Sequence, residues 1–153
     1  MQRKKRRVLI DTNIFSKAYG SKNKEDRKSS QEVIQTVKNK DELIYPTHVS
    51  RELLRTPDKR KRKRFRALDK RMKRQGRYVS VTDEVPHDGY DFDPKDDDRL
   101  IVHDAYKTDT DLIISDDRKF RNRVKNKTKL KILSSSKYIA FFRRKKNYKG
   151  GKR

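Results

Sequence analysis

The stretch "RKKRRVLIDTNIF", residues 3–15, sets five cations against a short apolar run and then stops that run on a carboxylate, Asp11. Val8, Leu9 and Ile10 are β-branched or aliphatic and read as a buried strand. An acid at the end of a core strand is costly unless hydrogen bonds or a cation compensate it. Similar short apolar runs recur through the chain: LIY (43–45), YVSV (78–81), LIV (100–102), LII (112–114), LKIL (130–133) and YIAFF (138–142). Between them lie polar segments, several with helical spacing or caps.

Strands are read at 7–10, 43–45, 77–81, 111–115 and 130–133. Helices are read at 12–20, 29–39, 47–54, 58–76, 96–107, 116–125 and 134–142. The expected helix starts are a capping box of Ser29 with Glu32, an N-cap at Thr47, and Thr56 ahead of Pro57. Residues 82–95 read as a loop and 143–153 as a basic disordered tail. Strands alternating with helices imply right-handed crossovers and an α/β fold. The expected architecture is one domain over 1–142, with a mostly parallel five-stranded sheet flanked by helices on both faces. Ligands in such sheets bind beyond the carboxyl ends of the strands.

The chain has 153 residues, 45 Lys and Arg, 22 Asp and Glu, no cysteine, and a formal net charge of +23. Absence of cysteine excludes disulfides and thiolate metal sites. No apolar run approaches membrane-spanning length, so a cytoplasmic protein with no membrane partner is expected. The charge favours a polyanionic partner, because neutralising phosphates releases counterions. Residues 58–76 alone carry 11 cations and 143–153 seven. Phe65, Leu68 and Met72 form an apolar strip on the 58–76 helix. Lys61, Arg62, Arg66 and Lys73 on the rest of it are the expected nucleic-acid contacts, with Phe65 and Tyr148 as stacking candidates.

Against this background, 13 of the 22 acids fall within 83–117, opposed by only three basic residues. Asp88, Asp91, Asp93 and Asp109 lie in loop-like sequence. Four acids are placed differently. Asp11 ends the first strand and Asp117 follows the fourth. Asp98 opens a helix whose inward face holds Ile101, Val102 and Ala105, and Glu52 lies between Val49 and Leu53 on another helix. Carboxylates converging on one edge of a core need cations to stay ionised. Hard divalent ions bound through oxygen suit a chain without cysteine and with its three histidines, His48, His87 and His103, scattered.

The motifs "VLIDTNIF", "VSRELL", "DDRLIVHDA" and "LIISDDRKF" resemble, in order and spacing, the four acidic motifs of the PIN-domain ribonucleases, over roughly residues 7–142. The resemblance implies catalytic roles for Asp11, Glu52, Asp98 and Asp117, with Asp11, Asp98 and Asp117 as metal ligands and Thr12, Asn13 and Ser115 as hydrogen-bonding supports. It further implies a Mg²⁺- or Mn²⁺-dependent endoribonuclease acting on single-stranded or structured RNA such as tRNA or rRNA. Small toxin-type (VapC-like) members imply an antitoxin or other protein partner, and a homodimer is a further expectation. Where many members carry another acid, two residues after the last Asp, this chain has Lys119. Phosphatases of the haloacid-dehalogenase type need an acid where Asn13 stands, and receiver domains need paired acids at the end of the first strand. The competing class is a non-catalytic RNA-binding or ribosome-associated protein on the same fold, for which four converging carboxylates serve no purpose.

Overall fold

In the computed structural model, residues 5–86, 89–93 and 95–151 are described, with side chains only as far as Arg143. The elements are β1 (Arg7–Ile10), α1 (Thr12–Gly20), α2 (Lys24–Lys40), β2 (Glu42–Pro46), α3 (Thr47–Leu54), α4 (Lys59–Arg74), β3 (Tyr78–Val79), α5 (Asp98–Lys107), β4 (Leu112–Ile114), α6 (Arg118–Lys127), β5 (Ile132–Leu133) and α7 (Ser135–Gly151), with a short 3₁₀ turn at Gly89–Asp91. His87 and Asp88 lie outside the described residues. So do the side chains of the basic tail beyond Arg143, including Tyr148; the tail's backbone, read from the sequence as disordered, continues α7 as helix to Gly151.

The sheet has the order β3-β2-β1-β4-β5, and each neighbouring pair is parallel. The fold is therefore α/β, as the alternation of apolar runs and helical segments implies. Val8, Leu9 and Ile10 are all at 0% exposure. Successive strand residues point to opposite faces, so full burial of three in a row means that both faces of the sheet are covered. From β1 the chain moves outward through β2 to β3, then returns across to β4 and β5. Strand order reverses between β1 and β4, which opens a crevice beyond their carboxyl ends. Asp11 and Ser115–Asp117 emerge there.

Helix α4 lays Phe65, Leu68 and Met72 into the core, as its apolar strip requires. Its Asp69 is buried too, accepting hydrogen bonds from Tyr45 Oη and Ser50 Oγ, both at 2.6 Å, and pairing with Lys73 at 3.0 Å. Burial alone would raise its carboxyl pKa, but those two hydroxyls and the Lys73 ammonium outweigh it and hold the carboxyl below its ordinary value. This network ties α4 to β2 and α3.

Three helix starts differ from the sequence expectation. Helix α2 begins at Lys24 rather than Ser29, because Asn23 accepts hydrogen bonds from the Glu25 and Asp26 backbone N–H groups. Its first two turns project into solvent and carry no apolar periodicity to reveal them. Asp58, not Thr56, caps α4, accepting from Arg60 N and Lys61 N. Thr47 is the first residue of α3 and makes no cap; its hydroxyl instead accepts the Val81 N–H at 2.7 Å, fixing the loop after β3.

Candidate active site

Asp11 continues the β1 ladder by donating its N–H to Ile114 O at 2.9 Å, so the chain leaves the sheet with its carboxylate facing β4. One carboxylate oxygen accepts the Thr12 N–H at 2.8 Å and caps α1. The other accepts the Ser115 hydroxyl at 2.7 Å and the Asn13 amide at 3.4 Å. Ser115 is fully buried at the end of β4. Besides donating to Asp11, its oxygen accepts the Asp117 N–H at 3.2 Å and the Asn13 amide at 3.3 Å. Ser115 and Asn13 thus link the two strand ends. Asp117, in turn, accepts the Phe120 N–H and caps α6. Both strand-end acids cap helices while facing the crevice.

Glu52 reaches the same crevice from α3, and Asp98 from the first turn of α5. Their electrostatics show how close the set lies. Asp11 is pushed above the ordinary carboxyl range, chiefly by burial, with the charges of Asp117 and Asp116 adding and the Ser115 and Thr12 hydrogen bonds opposing. Glu52 is pushed up to about 7 by burial and by the charges of Asp11, Asp97 and Asp98, with Thr12 opposing. The Thr12 hydroxyl is inaccessible to solvent and makes no well-formed hydrogen bond, yet lies close enough to Glu52 to favour its charged form. Asp98 rises to about 6 through burial and the charges of Asp96, Asp117 and Asp11, while the Arg123 guanidinium opposes the rise. All four carboxyls expected from the sequence therefore share one electrostatic neighbourhood.

Arg123 and Asp116 are among the members of this neighbourhood that escaped sequence reading. Arg123 Nη1 donates to Asp98 Oδ2 at 2.7 Å and also to Asp96 Oδ2, so a guanidinium from α6 neutralises the α5 side of the crevice. Among 45 cations nothing marks this one. Asp116 turns the other way, accepting the Ser135 N–H and hydroxyl at the start of α7 and pairing with Lys17 at 3.5 Å. It adds negative potential without facing the crevice.

Among the described residues, no three acids or histidines approach closely enough to ligate one metal ion directly. The oxygen-only donor set still suits a hard, hydrated cation. Mg²⁺ keeps several waters and is usually bound through one or two carboxylates, so a three-carboxylate cage is not required. Burial and neighbouring negative charge both disfavour ionisation of these carboxyls, and a bound cation would offset both. Lys119 is exposed, and no acid stands in its place. Neither described histidine takes part in the set: His48 is tied by Nδ1 and N–H to the fully buried Asp104, at 2.6 and 2.8 Å, and His103 Nδ1 meets Tyr90 Oη at 2.9 Å.

The basic helix departs partly from expectation. Lys73 is engaged by Asp69 and lies 4.9 Å from the Tyr78 ring centroid. The Arg62 guanidinium donates to Thr56 O and Pro57 O. Lys61 is half-buried, whereas Arg66 is exposed together with Lys59, Lys63, Arg64 and Lys70. A shallow cleft of about 410 Å³ runs between Lys59, Arg62, Lys63 and Arg66.

Compared with known proteins, the chain finds no match to an individual curated protein. The model of the PIN domain family, whose members are generally metal-dependent nucleases, matches residues 8–126. That span runs from the start of the first strand through the acid-bearing elements to the end of the Arg123 helix, and so encloses the whole crevice. With the parallel sheet and its strand-end acids, it establishes that this chain belongs to the PIN domain family.

Proposed function

We propose that this protein is an endoribonuclease that cleaves RNA with Mg²⁺ or Mn²⁺ bound at the crevice of Asp11, Glu52, Asp98 and Asp117. The observation that carries the reading is the gathering of these four carboxyls in one crevice, where burial first, and then their neighbours' negative charges, raise Asp11, Glu52 and Asp98 together. Asp69, which serves the packing of α4, is by contrast paired and held below its ordinary value.

When bound, the divalent ion supplies a water of lowered pKa and neutralises charge on the scissile phosphate. Asp11 and Asp117 would hold it, each oriented by hydrogen bonds to Ser115 or to a helix N-terminus. Asp98, kept in place by Arg123, would orient the ion's hydration shell. Glu52, with a pKa near neutrality, is suited to take or give a proton at the attacking water. Thr12, through its contact with Glu52, and Asn13, through Asp11, hold these groups in position. A toxin-type role would add a protein partner, which would cover the same exposed basic face that RNA requires.

Incubating the protein with an end-labelled structured RNA tests the reading. Internal cleavage should appear with Mg²⁺ and at least as strongly with Mn²⁺, and disappear in excess chelator. Binding without internal cleavage under every metal condition would instead support the non-catalytic binder.

Substrate affinity should depend on the exposed cations of α4. Lys59, Lys63, Arg66 and Lys70 changed together to Gln should weaken RNA binding across unrelated sequences and flatten the salt dependence by about three units of log–log slope. The saturated cleavage rate should stay nearly constant, because these side chains stand apart from the carboxyls. Filter binding at several salt concentrations reads both quantities. Unchanged slopes would make α4 a solvated face.

A further inference from the structure

Helix α6 starts on Asp117 in the acidic crevice and runs back along the sheet to its N-terminal end. Ten residues of α-helix cover about 15 Å. Along it Arg118, Lys119, Lys125 and Lys127 are exposed. Lys125 and Lys127 also complement the carboxyl end of the helix. Beyond that end the cations continue, where no helix dipole accounts for them: Lys129 and Lys131 line a cleft of about 520 Å³ with Lys5, Arg6, Thr110 and Asp111.

That cleft joins the residues ahead of β1, β4 and β5, so it lies at the end of the sheet opposite the carboxylates. Its charge is largely unmatched. Among the described residues, Lys5, Lys129 and Lys131 form no ion pair, while Arg6 is engaged by Asp41. The acid in the lining, Asp111, accepts the Arg7 N–H at 2.8 Å, and Asp109 is exposed on the preceding turn. Cations converging from separate segments on a concave surface focus positive potential more strongly than the same charges spread over a convex one. A strand of polyanion leaving the crevice along α6 would meet Arg118 and Lys119 at the start of the helix, Lys125 and Lys127 at its end, and then this cleft.

We propose that α6 and the cleft beyond it form a phosphate track, which carries the RNA strand from the acidic crevice to the opposite end of the sheet. The track rests on the reading of RNA as the ligand. It makes affinity depend on RNA length, because only a strand long enough to follow α6 reaches the cleft.

Binding of an RNA several tens of nucleotides long, measured by fluorescence anisotropy in chelator, tests the track with the full chain. Lys125, Lys129 and Lys131 changed together to Gln should weaken binding about tenfold at low salt and reduce the log–log salt slope by about two. The corresponding Arg triple should bind as the unaltered chain does. A control triple of equally exposed lysines on α2 and the turn before it, Lys22, Lys24 and Lys28 to Gln, should lose much less. If the control loses as much as the track variant, or the track variant loses nothing, the track is overturned while RNA binding itself stands. If the unaltered chain binds no RNA, the reading of RNA as ligand falls, and the track with it.

Discussion

Asp11→Asn and Asp117→Asn should each lower the rate of RNA cleavage by about a hundredfold or more, without loosening the fold. The argument for so clean a separation is local. Both carboxylates are helix N-caps, Asp11 for α1 and Asp117 for α6. Asn caps a helix about as well as Asp, so the Thr12 and Phe120 N–H groups keep their acceptors. What the substitution removes is negative charge beside the crevice, and with it the attraction for a divalent ion; at Asp11 it also removes the acceptor of the Ser115 hydroxyl, which must turn to accept from the new amide. RNA affinity measured in chelator should hold or rise, since a like-charged repulsion on the phosphate is lost. Full cleavage by both purified variants would show that the chemistry lies elsewhere.

The second large effect is on stability, and it is read without metal. Glu52 has a folded-state pKa of about 7, against about 4.3 for an unfolded glutamate. Raising an acid's pKa on folding means that the folded state prefers the neutral form. The wild type is therefore unpenalised below about pH 4, where both states are protonated, and loses stability as pH rises from there to about 7. Glu52→Gln removes the ionisation, so it should raise metal-free stability at pH 8 by about 2 kcal/mol, after discounting for the solvent that reaches the group. For a chain of this length that is roughly 4–8 °C in melting temperature. The gain should fade toward pH 4 and shrink with saturating Mg²⁺, which offsets the same repulsion. Equal loss at every pH would mark Glu52 as a structural acceptor.

The arrangement of the sheet was legible because burial on two faces forces apolar runs. Val8–Ile10, Leu43–Tyr45 and Leu112–Ile114 each form an unbroken apolar run and each became a strand. The four acids were legible for the complementary reason, that ionisable groups at the edges of such runs stand out against the pattern. What the pattern could not carry were partnerships across long stretches of chain. Arg123 meets Asp98 from a helix whose own periodicity is satisfied by Phe120 and Val124. Asp69 lies buried beside an apolar strip that the sequence limits to Phe65, Leu68 and Met72, because its partners, Tyr45 and Ser50, come from earlier elements. Asp104 is fully buried for the same reason, with His48 as its partner. Helix starts failed where one cap residue outweighed a plausible neighbour: Asn23 over Ser29, and Asp58 over Thr56.

Paramagnetic broadening by Mn²⁺ tests the metal crevice most directly, because it reports where the ion sits whether or not cleavage occurs. With substoichiometric Mn²⁺ added to the isotopically labelled protein, the amide signals of Thr12, Ser115, Asp117 and Leu100 should fade first, and Asp11→Asn should restore them. Broadening centred on the acidic loop at 89–97, or spread evenly over the surface acids, would contradict a metal site built from the ends of β1 and β4.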